Sequence, residues 1–240
     1  MYKRQDIGSG GSYAYFLTVF NNELYFQATD PNYGLELWKY DGSNPPSLVA
    51  DIDSGSTGSN PGYLTVFNNE LYFRAYNVNH GYELWKYDGS NPPSLVADIV
   101  SGSGSSHPGY LTVFNNELYF EADDGTHGDE LWKYDGTNAP SMVADIRPGS
   151  SNGNPSYLTV FNNELYFQAY DGVNGYELWK YDGVNAPSMV ADIVSGSGSS
   201  SPSDLTVFNN ELYFRADDGT NGYELWKYDG TNAPSMVADI

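Results

Sequence analysis

The chain has no cysteine, which excludes disulfides, thiolate metal sites and cysteine nucleophiles together. It is poor in bases: 10 Lys and Arg stand against 31 Asp and Glu, for a net charge of −21. No nucleic-acid partner is expected of it, because duplex affinity rests on Lys and Arg displacing counterions. No apolar run approaches the roughly 20 residues that a membrane span needs. The opening residues, MYKRQDIGSG, hold no hydrophobic signal core. Histidine occurs three times, at His80, His107 and His127. No segment keeps the apolar period of a helix.

What is present is repetition. LTVFNNELYF occurs five times unchanged, beginning at Leu17, Leu64, Leu111, Leu158 and Leu205, so one 47-residue unit is copied in tandem. Within a unit, strand-type residues flank Asn21-Asn22, a pair that tolerates the positive φ angles of a two-residue hairpin turn. This predicts strand A, a tight turn and strand B. A polar loop ending in Gly34 leads to ELWKY, strand C, closed by Asp41-Gly42. Pro45-Pro46 cannot continue a ladder, so SLVADI follows as strand D after a defined turn.

Strand B carries apolar residues of both parities: Leu24, Phe26 and Ala28 on one side, Tyr25 on the other. A four-stranded meander with two apolar faces must be covered on both. Stacking consecutive sheets face to face around an axis achieves this, so the expected fold is all-β, a five-bladed β-propeller whose blades are four-stranded antiparallel meanders. An open β-solenoid is the alternative. The expected domain is residues 1–240, with blades near 17–52, 64–99, 111–146, 158–193 and 205–240. Gln5-Asp6-Ile7 resembles Ala50-Asp51-Ile52, so residues 1–7 duplicate an outer strand. They compete with the C-terminal strand, Ser235 to Ile240, for one outer slot. Met236 and Val237 favour the latter, since Lys3 and Arg4 stand in the former. The losing strand would fray or add to an exposed edge, which predicts a monomer or an edge-strand dimer.

The repeated ELWKYDG, as in Glu130 to Thr137 and Glu224 to Thr231, resembles the bacterial ELWxxDGT repeat family. Only Ser43, Ser90 and Val184 depart from its final threonine. That resemblance implies a β-propeller and says little of activity. The size of the unit and the Gly-rich Ile7 to Gly11 are also similar to five-bladed propellers of the tachylectin type, which bind sugars. ELWKYDG has no equivalent there, so that likeness is one of architecture.

The copies differ in the B–C loop and the D–A connection, which a meander places at one end of the sheet; the near-invariant hairpins lie at the other. Loops carry binding more often than frameworks do. The candidate ligand-binding residues are therefore Gln27, Arg74, Glu121, Gln168 and Arg215 toward the end of strand B. With them stand Tyr82, Tyr176 and Tyr223 at the start of strand C, and Tyr63, Tyr110 and Tyr157 just before strand A. Aromatic rings beside amides, carboxylates and Arg suit a sugar, whose CH face stacks while its hydroxyls take hydrogen bonds. The competing expectation is that these loops drifted and that the tyrosines pack between blades.

No nucleophile, base and orienter set recurs, so no catalytic residue is assigned and an enzyme is not expected. No cofactor is expected either. Calcium remains conceivable at Asp123-Asp124-Gly125 and Asp217-Asp218-Gly219, yet neither follows an EF-hand pattern and Asp-Gly turns explain them better. His80 and His127 have Asn174 and Asn221 as counterparts, so a repeated histidine site is not expected. Two readings stand for the Glu23 series, solvation of the A–B turn, which is preferred, and a ring near the channel mouth that holds a cation or waters; the Trp38 series is assigned to the core between blades. Glu36 and Lys39 have opposite parity and should not pair within their strand. The expected function is a non-enzymatic binding module, with a glycan or a protein surface as partner, in a larger secreted or surface-associated bacterial protein. The alternative is an interaction scaffold with no small-molecule site.

Overall fold

The computed structural model describes residues 11–239. They form twenty strands and no helix, in five antiparallel sheets whose strands follow chain order. Blade 1 holds β1 (Tyr15–Phe20), β2 (Glu23–Asp30), β3 (Gly34–Tyr40) and β4 (Ser47–Ala50). Blade 2 holds β5 (Gly62–Phe67), β6 (Glu70–Asn77), β7 (Gly81–Tyr87) and β8 (Ser94–Ala97). Blade 3 holds β9 (Gly109–Phe114), β10 (Glu117–Asp123), β11 (Asp129–Tyr134) and β12 (Ser141–Ala144). Blade 4 holds β13 (Ser156–Phe161), β14 (Glu164–Tyr170), β15 (Tyr176–Tyr181) and β16 (Ser188–Ala191). Blade 5 holds β17 (Ser203–Phe208), β18 (Glu211–Asp217), β19 (Tyr223–Tyr228) and β20 (Ser235–Ala238). The C-terminal strand β20 pairs with β19. The duplicate segment in residues 1–7 lies outside the described residues.

The hairpin prediction holds at every copy. Asn21 and Asn22 have φ of 47° and 63°, the two left-handed residues of a type I′ turn, whose twist matches that of the strands. Strand D is shorter than expected, ending at Ala50 rather than Ile52. The reason is the buried carboxylate of Glu36, which draws the next backbone N–H groups off the ladder. It accepts from Asp53 N at 3.4 Å and Ser59 N at 2.8 Å, and from the Ser59 hydroxyl. Each of Glu83, Glu130 and Glu177 does the same for its own D–A connection.

The chain divides into two compact units, Met1–Leu111 and Thr112–Ile240. In the first, Phe20, Tyr25 and Leu37 of blade 1 pack on Leu64, Leu71, Phe73 and Trp85 of blade 2. In the second, Phe161, Tyr166 and Leu178 of blade 4 pack on Leu205, Leu212, Phe214 and Trp226 of blade 5. Thr18 Oγ1 donates to Leu64 O at 3.0 Å and Thr159 Oγ1 to Leu205 O at 3.3 Å, pinning each joint. At the hairpin end, a Cβ on Gly89 would stand 2.8 Å from the Asn21 amide of the preceding blade. The A–B and C–D turns therefore share one end, as the meander required.

Trp38, Trp85, Trp132 and Trp226 are buried and Trp179 half-buried; none of the five indole N–H groups has a hydrogen-bond partner, so tryptophan acts here as an apolar ring. The Glu23 series does more than solvate a turn. Glu23 takes Lys39 Nζ at 3.0 Å and the Tyr25 hydroxyl at 2.9 Å, and the Lys39 hydrogen bond holds its carboxyl below the usual range. The neighbouring antiparallel strand brings Lys39 opposite Tyr25, a pairing that single-strand parity could not reveal.

Candidate functional site

The candidate site is built on a bulge repeated in the first strand of blades 1, 2, 4 and 5. The register of β5 on β6 shifts between Gly62 and Thr65, and Tyr63 sits there at φ 57°. Phe16, Tyr110, Tyr157 and Asp204 take the same conformation in their own blades. A left-handed non-glycine residue costs about 1–3 kcal/mol, and bulges re-aim side chains. In the first unit the re-aimed rings form a row: Phe16 to Tyr63 at 5.4 Å between centroids, and Tyr63 to Tyr110 at 5.3 Å. Gly62 permits this, since its missing Cβ would stand 3.3 Å from the Phe16 ring.

Arg74, opposite Gly62 on β6, lies between two of the expected tyrosines. Its guanidinium carbon is 5.0 Å from the Tyr63 centroid and 5.3 Å from that of Tyr82. Tyr82 stacks on His107 at 5.3 Å and touches Tyr76 at 5.2 Å. The Arg74 Nε is shielded and has no hydrogen-bond partner. His107 is exposed, at φ 50°, and its N–H donates to Tyr82 O at 3.1 Å. Four of the expected residues (Tyr63, Arg74, Tyr82 and Tyr110) thus come together with Tyr76 and His107, which sequence reasoning left out. The signal for His107 was available only in three dimensions, because 25 positions separate it from Tyr82.

The second unit places the corresponding residues differently. Gln168 Nε2 donates to Ser156 Oγ at 3.1 Å, and the Tyr176 hydroxyl accepts from Asn154 Nδ2 at 2.7 Å. Tyr176 also meets Tyr170 at 5.2 Å, and Arg147 covers Tyr170 at 4.5 Å. Tyr157 packs against the joint between blades 4 and 5. Arg215 lies 3.6 Å over the Tyr223 ring, both exposed. Glu121, half-buried, stands opposite Leu131. In the first unit, Gln27 is buried opposite Tyr15.

The Asp-rich loops are occupied by their own backbone. Asp124 Oδ1 accepts from the Thr126 and His127 N–H groups at 2.8 and 2.9 Å, and its other oxygen meets His127 Nδ1 at 2.8 Å. Hydrogen bonding to Asp124 raises the His127 imidazole above its usual pKa. Asp218 binds Thr220, Asn221 and the Asn221 side chain in the same manner. Among the described residues no cluster of three His, Asp or Glu could hold a metal ion. No described helix is long and apolar enough to cross a membrane.

No protein-family model matches the sequence and no curated protein aligns with it, so the likeness to ELWxxDGT repeats rests on the motif itself. Solved structures are similar in shape. A puromycin-hydrolyzing peptidase from Mycobacterium tuberculosis superposes with a TM-score of 0.64 at 10% identity, over 95% of this chain and 39% of the peptidase. A prolyl endopeptidase gives 0.63 at 11% identity, over 95% of this chain and 35% of the endopeptidase. The chain thus spans under two fifths of the length of these peptidases. The BP39L lectin from Burkholderia pseudomallei gives 0.54 at 10% identity, over 94% and 69%. At such identities the likeness is one of fold. With five four-stranded meanders in chain order, the chain is an all-β, five-bladed β-propeller.

Proposed function

We propose that the chain is a non-enzymatic binding module that takes glycans at its aromatic loop ends, with the best-formed subsite on blade 2. One observation carries this reading: Arg74 held between the rings of Tyr63 and Tyr82, with Tyr82 stacked on the exposed His107. Rings offer flat apolar faces for the CH side of a sugar, and guanidinium and imidazole supply donors for its hydroxyls. A few convergent polar groups in an aromatic setting are what small-ligand sites use. The counterparts Arg215–Tyr223 and Gln168–Tyr176 would be weaker subsites, and linked weak subsites gain avidity. The module would serve a larger secreted or surface-associated bacterial protein of the ELWxxDGT type.

The test is a broad panel of immobilised glycans probed with the folded chain, followed by titration of any hit. Arg74→Ala and Tyr82→Ala should each weaken binding by about 2 kcal/mol or more while leaving the unfolding transition intact. Silence across the panel would refute the glycan reading and favour a protein-interaction scaffold.

A further inference from the structure

Within each unit, blades 1 and 2 and blades 4 and 5 meet through the same joint, and each blade contributes two unlike halves to it. The following half comprises Phe20, Tyr25 and Leu37 in blade 1; the leading half comprises Leu64, Leu71 and Tyr87 in blade 2. Blade 5 carries a following half and blade 1 a leading half, and Phe208 on the one and Leu17 on the other are exposed. We propose that the following half of blade 5 receives the leading half of blade 1 from a second copy of this chain, head to tail.

Four comparisons between sequence-identical positions support this. Phe20, Phe67, Phe114 and Phe161 are each 3% exposed, whereas Phe208 is 59% exposed. Leu37, Leu84, Leu131 and Leu178 are fully buried, whereas Leu225 is 40% exposed. On the other half, Leu64, Leu111, Leu158 and Leu205 are 7–9% exposed, whereas Leu17 is 60% exposed. Leu24 and Tyr40 are only partly covered there, although their copies Leu71 and Tyr87 are buried.

The polar marks of the joint agree. Thr18, Thr65, Thr112 and Thr159 each donate to the leucine carbonyl of the next blade, at 3.0–3.3 Å. Thr206 is exposed, and its bond back to Asp204 O is one that Thr65 and Thr159 also make, to Tyr63 O and Tyr157 O, in addition to reaching the next blade. The acceptor that would continue the series is Leu17 O. At the hairpin end, Gly89, Gly183 and Gly230 lie close beneath the Asn21, Asn115 and Asn162 amides, while the space over Gly42 is open. Asn209 is the residue that would fill it.

The occupant's chemistry is therefore known, because this chain already shows what covers each half. Exposed contiguous apolar surface of this kind marks an interface, and a head-to-tail joint between copies is heterologous, so it propagates until it closes. Burial of Phe208 and Leu17 against each other's blades would repeat the packing of Phe161 on Leu205.

The test uses the whole chain and three variants, with mass read by light scattering across a concentration series. The wild type should associate in multiples of 26.5 kDa. Phe208→Glu and Leu17→Glu should each weaken self-association by about 30-fold or more. Each variant keeps one intact half, so an equimolar mixture should recover a complex of two chains, which also shows that both variants are folded. Val184→Glu, which adds the same charge at an exposed turn, should leave association unchanged. A wild type that stays monomeric at all concentrations overturns the proposal, as closure of the two halves within one chain would produce. A mixture that stays monomeric overturns it as well. Neither outcome bears on glycan binding, which is read separately.

Discussion

Glu83→Ala tests whether buried carboxylates hold the D–A connections in place. Glu83 is fully buried, and burial pushes its carboxyl above the usual pKa range. Oε1 accepts from Val100 N at 3.3 Å and Ser106 N at 3.0 Å; Oε2 accepts from Ile99 N at 3.1 Å and the Ser106 hydroxyl at 2.5 Å. Ser106 N keeps a second acceptor, Tyr82 O at 3.0 Å, so the strict losses are the Ile99 and Val100 donors and the buried Ser106 hydroxyl. An orphaned buried donor costs about 1–3 kcal/mol, and releasing the desolvated charge offsets part of this. The expected net loss is about 2–4 kcal/mol. By contrast, Lys86→Ala breaks a half-exposed pair with Glu70 at 3.0 Å and should cost about 0–1 kcal/mol. Urea unfolding measures both, and hydrogen exchange should show protection lost at Ile99 and Val100 before it is lost elsewhere. A Glu83→Ala variant within 1 kcal/mol of wild type, with both amides still protected, would refute the reasoning. Because the same connection carries His107, this variant should also weaken any ligand bound beside Tyr82.

Stability should fall as pH rises from about 5 to about 8. Burial lifts the Glu36 and Glu130 carboxyls from 4.5 to about 7, so the folded state binds more protons than the unfolded chain between those values. Their contribution is fully present below the unfolded value and is lost as pH rises through the folded one, about 3 kcal/mol per group at most. The double variant Glu36→Gln with Glu130→Gln should flatten the melting-temperature profile over that range; an unchanged slope would count against the assignment. Gly89→Ala should destabilise by more than 1 kcal/mol, since its φ is +92° and the new methyl would meet the Asn21 amide. Gly42→Ala faces the same φ penalty at +88° but no contact, so it should cost less, and equal losses in thermal unfolding would refute the close approach.

Much of the framework was legible in the chain itself. The 47-residue period set the number of units, Asn21-Asn22 marked the type I′ hairpin, and Pro45-Pro46 separated strands C and D, all through local backbone preferences. The end of the sheet where the copies diverge also followed, because alternate turns of a meander share an end. The candidate site was only partly legible. Tyr63, Arg74 and Tyr82 could be named from variation among copies, but their meeting with His107 depends on how the D–A connection folds back over β7. The Glu23–Lys39 pair and the carboxylate anchors at Glu36 and Glu83 likewise join residues 16–23 positions apart.

The clearest separation lies in LTVFNNELYF itself. Five identical decapeptides share one local physics, and the chain alone determined that all five become a strand, a turn and a strand. Yet Phe161 is sealed and Phe208 lies open to water. Burial is decided by whatever packs on the next face, and for that only the tertiary structure could distinguish the last copy from the others.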